Sequence, residues 1–111
     1  RRAAASASDS GRTVRANGVV ADRAARRAWR GNTELTLRPK EFDLLALLVS
    51  EAGRAVTRER LMSEVWDTEW MGSTKTLDMH ISWLRRKIGD DQFDRPRHIV
   101  TVRGVGFRFD P

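Results

Sequence analysis

The sequence predicts an α+β domain: a four-stranded antiparallel sheet first, then a three-helix core, then a closing β-hairpin. Three observations predict it. Residues 13–37 hold four short β-prone runs, punctuated by Gly18, Asp22 and the pair Gly31–Asn32. Residues 39–88 hold three stretches in which apolar residues recur at helical spacing. Residues 98–109 are rich in β-branched and aromatic residues around Gly104 and Gly106. A chain of 111 residues is long enough for one core and too short for two.

Residues 1–12, RRAAASASDSGR, are small and polar without periodicity. They read as a flexible linker, so a further domain is expected before Arg1 and the folded domain is expected to occupy 13–111. The four strands are expected at 13–17, 19–21, 26–29 and 34–37, as a meander with short turns. Trp29 reads as a packing residue of that sheet.

The first helix is expected over 39–52. Pro39 suits its first position, Glu41 its first turn, and Gly53 its end. Phe42, Leu44, Leu45, Leu47, Leu48 and Val49 cover most of its circumference, so it should be central and packed on more than one side. Residues 54–56 suit one short strand. Thr57 can cap a second helix, RERLMSEVW, whose apolar face is Leu61, Met62, Val65 and Trp66. Residues 67–74 form a loop in which Trp70 and Met71 either fold back onto the core or await a partner. Ser73 or Thr74 then caps the third helix.

That helix spans 75–88. Leu77, Ile81, Leu84 and Ile88 form its core stripe, one every three or four residues. The opposite face carries Lys75, Met79, Ser82 and Arg86, with Trp83 beside them and His80, Arg85 and Lys87 on the flanks. Met79 and Trp83 are apolar yet point away from the core. Gly89 closes the helix, and GDDQFDRP is a polar connector to the hairpin. In the hairpin, Gly104 and Gly106 are expected to supply positive φ at the turn. Arg95, Arg97, Arg103 and Arg108 bring four positive charges with no acid among residues 95–108. Arg103 sits at the turn, where a long side chain can reach outward.

Charge follows the same division. The net charge is +6, from 21 basic and 15 acidic residues. Residues 1–30 carry eight Arg against two Asp, 31–74 carry five basic against eight acidic residues, and 75–108 carry eight basic against four acidic. The helix and hairpin are basic while the middle of the chain is acidic, which points to one face that meets a polyanion. Basic groups bind phosphates or guanine edges, and apolar groups meet thymine methyls. A basic helix beside a basic hairpin is what a winged helix-turn-helix presents to double-stranded DNA.

Other classes find less support. There is no cysteine, and two isolated histidines make no metal site. No glycine loop cradles a phosphate, so no cofactor is expected. Asp78 and His80 are two residues apart on one helix, on different faces, which is poor geometry for acid–base chemistry. No enzyme is expected. No apolar run approaches the roughly 20 residues that span a bilayer, and no signal segment opens the chain, so a cytoplasmic protein is expected. The competing reading is a winged helix that binds protein, anchored by Trp70 and Met71.

Several separated motifs, in order, resemble the DNA-binding effector domain of OmpR/PhoB-type bacterial response regulators. They are Glu41-Phe42 with Leu44-Leu45, Thr57-Arg58-Glu59 with Leu61 and Val65-Trp66, Thr76-Leu77-Asp78-Met79-His80-Ile81 with Leu84-Arg85, and Thr101-Val102-Arg103-Gly104 with Gly106-Phe107-Arg108-Phe109. The resemblance covers the chain from about Val14 to Pro111. It implies a recognition helix at 75–88 in the major groove and a wing at 98–109, with Arg103 at the adjacent minor groove and Thr101 near a phosphate. By position it assigns Lys75, His80, Ser82, Trp83 and Arg85 to DNA and gives the Trp66 indole a phosphate. The helical wheel adds Met79 and Arg86. The resemblance further implies RNA polymerase contact through the loop holding Asp67, Glu69, Trp70 and Met71. It also implies a preceding receiver domain phosphorylated by a sensor kinase, and a homodimer on tandem half-sites. Two departures stand out. Positions 82 and 83 are often arginine in such domains and are Ser82 and Trp83 here. Arg38 stands where a capping Thr is common, so the first helix is expected to start without a side-chain cap.

Overall fold

The computed structural model describes residues 13–66, 75–90 and 97–111. Strands β1 (Thr13–Ala16), β2 (Val19–Asp22), β3 (Arg27–Arg30) and β4 (Thr33–Leu35) form an antiparallel meander in sequence order. Ends differ from the expected ones by one or two residues. Asn17 and Gly18, both at positive φ (48° and 78°), turn β1 into β2, as a two-residue hairpin of right-handed twist requires. At the next turn the Asp22 carboxylate accepts hydrogen bonds from the amides of Ala24 and Ala25. Arg26 adopts a left-handed φ of 60°, and its guanidinium is held by Asp43 at 2.6 Å and by the face of Phe42 at 4.6 Å.

The pleat decides what the sheet buries. Val19, Ala21 and Ala28 face inward and are essentially inaccessible. Val20 and Trp29, paired across β2 and β3, point the other way. Trp29 is therefore not a core residue: it is only half-buried on the outer face, under the Arg27 guanidinium at 5.2 Å. The small side chain of Ala28 takes the inward place because a helix lies against that face.

That helix is α1 (Pro39–Ser50). Phe42, Leu44, Leu45, Leu47, Leu48 and Val49 are all buried, and the helix packs on both sheets and both other helices, central as its pattern requires. A guanidinium has no acceptor, so Arg38 offers the helix no side-chain cap. Half of a capping box survives, because the Arg38 amide donates to Glu41 Oε1 at 2.8 Å. Glu41 is more than a first-turn charge. It is fully buried, and Lys87 reaches its Oε1 at 2.6 Å.

After a turn at Gly53 (φ +89°), β5 (Ala55–Thr57) leads into α2 (Arg58–Trp66). The Thr57 hydroxyl accepts from the Arg60 amide at 3.1 Å and caps the helix. Thr57→Ala should lower the unfolding free energy by about 1 kcal/mol, measured by urea denaturation. No loss would mean that solvent caps this end equally well. α3 (Lys75–Ile88) buries Leu77, Ile81, Leu84 and Ile88, the stripe its periodicity picks out. The expected caps Ser73 and Thr74 lie outside the described residues.

The chain closes with β6 (Ile99–Val102) and β7 (Gly106–Phe109). They form a three-stranded sheet in the order β5-β7-β6, with Val56 opposite Phe107. The hairpin is thus anchored by a third strand from between α1 and α2. Gly104 turns at φ +77°, as expected, but Gly106 has no positive φ. Its missing side chain serves another purpose. A Cβ there would lie 2.1 Å from the Val56 carbonyl oxygen, so glycine lets β5 approach.

Candidate nucleic-acid interface

α3 and the β6–β7 wing lie side by side because three sets of polar contacts strap them together. The first is Arg85. Its Nε donates to the Ile99 carbonyl at 3.0 Å and its Nη2 to the Thr101 hydroxyl at 2.8 Å, with the guanidinium 5.7 Å from the Phe107 ring. Burial pushes the Arg85 guanidinium below the usual arginine value, partly offset by Asp90 and Asp78. It is committed to the wing. The second is Arg58, whose amide donates to the Val105 carbonyl at 3.2 Å while its guanidinium pairs with Asp78 on α3 and lies 4.9 Å from Phe107. The third is Asp90, just past α3. Its carboxylate accepts from the amides of Arg97, His98 and Ile99 and from the His98 ring Nδ1 at 2.7 Å.

The side chains opposite the buried stripe of α3 stay outside. On α3, Lys75, Ser82 and Arg86 are exposed and Met79 is 49% exposed, an unusual state for so apolar a residue. Arg103 is exposed at the wing turn. The charge of Asp78, on the same helix, is matched by Arg58. The outward surface is therefore cationic with two apolar contributions, Met79 on α3 and Val105 at the wing turn, chemistry that suits phosphates, base edges and thymine methyls together.

The remaining expected contacts are less free. Trp66, His80 and Trp83 form an aromatic row. The Trp66 and His80 rings are 5.1 Å apart edge to face, and the His80 and Trp83 rings are 5.0 Å apart and tilted. His80 Nδ1 is turned to the Thr76 carbonyl at 2.8 Å. Arg38, from the start of α1, covers Trp83 at 4.6 Å. Thr101 is exposed, but its hydroxyl already accepts from Arg85. Asp67, Glu69, Trp70 and Met71 lie outside the described residues.

Three participants carry little sequence signal. Arg38 stands at a helix start, Asp90 in a run of polar residues, and His98 looks like an isolated histidine. Only the tertiary fold brings each to the helix–wing pair. For Asp90 the one available hint is its place directly after Gly89, where α3 stops.

A sheet-flanked trihelical core with a strand-anchored hairpin beside its last helix defines a winged helix-turn-helix domain. The family model described as "Transcriptional regulatory protein, C terminal" matches residues 32–109, and the chain belongs to that family. It is 47% identical over 76 residues to the sensory transduction protein RegX3 of Mycolicibacterium smegmatis, covering 68% of this chain and 33% of that protein. It is 38% identical over 89 residues to the transcriptional regulatory protein ResD of Bacillus subtilis, covering 80% of this chain and 37% of that one. The chain spans about a third of the length of the curated relatives it matches. Among solved structures, the RstA DNA-binding domain of Klebsiella pneumoniae in complex with the RstA box superposes with a TM-score of 0.80 at 29% identity, over 89% of this chain and 97% of that one. The DNA-binding domain of CpxR from E. coli gives 0.75 at 33% identity, over 88% and 95%. Response regulators of the OmpR/PhoB type are thus its relatives in sequence and in fold. Among the described residues no helix is long and apolar enough to cross a membrane.

Proposed function

We propose that this chain binds double-stranded DNA sequence-specifically, as the effector domain of a two-component transcription regulator. α3 lies in the major groove and the β6–β7 wing reaches the adjacent minor groove through Arg103. One observation carries the reading: Arg85, Arg58 and Asp90 tie helix and wing into one body whose outward side holds Lys75, Met79, Ser82, Arg86 and Arg103. Trp66, His80, Trp83 and Thr101 line the border of that surface, and Arg85 serves it mainly by fixing the wing. The complex of the related RstA domain with its DNA box supports the same use of the fold.

In the whole protein, a receiver domain precedes residues 1–12, a sensor kinase phosphorylates it, and two copies occupy tandem half-sites as a homodimer. The loop holding Asp67, Glu69, Trp70 and Met71 is the place for RNA polymerase contact. The protein works in the cytoplasm.

The test is enrichment of duplexes from a random pool, followed by anisotropy titrations of the selected sequence. Contact with about four to six phosphates gives a slope of log K against log salt of roughly −4 to −5. Arg103→Ala should weaken binding by roughly 1–3 kcal/mol. A pool that yields no preferred duplex would remove the reading. Unchanged affinity in Arg103→Ala would remove the wing tip from it.

A further inference from the structure

Arg38 is a cation at this border that comes from neither the helix-turn-helix nor the wing. Its backbone is fixed. It precedes Pro39 in an extended conformation (φ −71°, ψ 158°), and its amide is held by Glu41 at 2.8 Å. Its guanidinium lies over the Trp83 ring at 4.6 Å. Arg38, Trp83 and Arg86 line one cleft together with Glu41 and Lys87. The carboxylate there is matched by Lys87 at 2.6 Å. Among the described residues Arg38 enters no ion pair, and its side chain is exposed. A guanidinium over a ring still has N–H groups at its edge that can donate outward.

We infer that Arg38 is an additional DNA-contacting residue: stacked on Trp83, its guanidinium donates to a backbone phosphate at the edge of the groove that α3 occupies. The inference rests on the DNA-binding reading above. A stacked guanidinium is already ordered, so less side-chain freedom is lost when it meets a phosphate oxygen. The positive end of the α1 dipole lies at the same point and adds to the attraction. Trp83 then acts as a platform for a cation supplied from another helix.

The experiment uses the duplex selected by the wild-type chain and measures Kd from low to high salt for Arg38→Gln, Arg38→Lys and Arg15→Gln. Arg15 is exposed on β1 and controls for the loss of one charge. Arg38→Gln should weaken binding about 3- to 10-fold and make the log–log salt slope shallower by about one. Arg38→Lys should keep the slope, and Arg15→Gln should change neither quantity. The stack itself is read from a double-mutant cycle of Arg38→Gln with Trp83→Leu. A coupling of about 2- to 5-fold is expected, because each change removes the other's partner. Wild-type affinity and slope in Arg38→Gln, or equal losses in Arg38→Gln and Arg15→Gln, overturn the inference while leaving the DNA-binding reading intact. A wild-type chain that selects no duplex removes that reading before the variants are made. Thermal melts of each variant separate lost binding from lost folding.

Discussion

Asp90→Ala is expected to lower the unfolding free energy by about 3–5 kcal/mol, since several buried donors lose their acceptor at once. The carboxylate is inaccessible and gathers the amides of Arg97, His98 and Ile99 together with the His98 ring. Ile99 opens β6, so the same carboxylate joins the end of α3 to the start of the wing. Asp90→Asn keeps the shape but turns an amide N–H₂ toward donors, and should lose a smaller part.

The pH dependence separates charge from shape. Burial alone pushes the Asp90 carboxyl up. The hydrogen bonds from the His98 ring and the Ile99 and His98 amides, with the imidazole beside it, outweigh burial and hold the carboxyl below its ordinary value. Between the folded and unfolded pKa the unfolded chain binds more protons, so stability rises with pH there. The contribution is complete above the ordinary carboxylate pKa and is lost as pH falls through the folded one. The stability gap between wild type and Asp90→Asn should therefore shrink as pH falls below about 4. Urea titrations at several pH values measure it, and a gap unchanged down to about pH 3 would exclude a charged clasp.

What the residues alone disclose depends on how local the cause is. The buried stripe of α3 follows from the spacing of Leu77, Ile81, Leu84 and Ile88, and the cap at Thr57 from a hydroxyl three residues before an amide. Both are set within one turn of helix. Arg85 is different. It falls on the flank of the helical wheel, and only the position of Ile99 and Thr101 in a later strand turns it toward the wing. Asp90 reads as solvated because its neighbours in sequence are polar, and the amides that bury it are seven to nine residues further on. Trp29 looks like core by type, yet strand parity against Ala28 sends it outward. Arg38 has no helical or strand pattern at all, and its meaning comes from a ring 45 residues away. Local periodicity finds the scaffold and the outward face of α3. Pairing between distant segments decides which arginines remain available on that face.

Gly106→Ala should be the most damaging alanine substitution among the described glycines. The added carbon would sit 2.1 Å from the Val56 carbonyl oxygen, 3.0 Å from the Arg58 nitrogen and 3.1 Å from the Thr57 carbonyl carbon. All three are backbone atoms, so no side-chain rotation relieves the clash, and β5 must separate from β7. That would break the pairing of Thr57 with Gly106 and of Val56 with Phe107, and would pull Arg58 from the Val105 carbonyl and from Asp78. A loss of about 3 kcal/mol or more follows, roughly 10–20 °C in Tm for a domain of this size. Gly104→Ala is the matched comparison. Nothing lies within 4 Å of its Cβ position, and its cost is that of a left-handed φ of +77° alone, about 1 kcal/mol. The two variants add the same atom two residues apart in one hairpin, so their melting temperatures isolate steric approach from backbone conformation. Equal Tm values would show that β5 does not need the close passage. The expected order, with Gly106→Ala far below Gly104→Ala, would show that the wing is held as much by the segment between α1 and α2 as by its own turn.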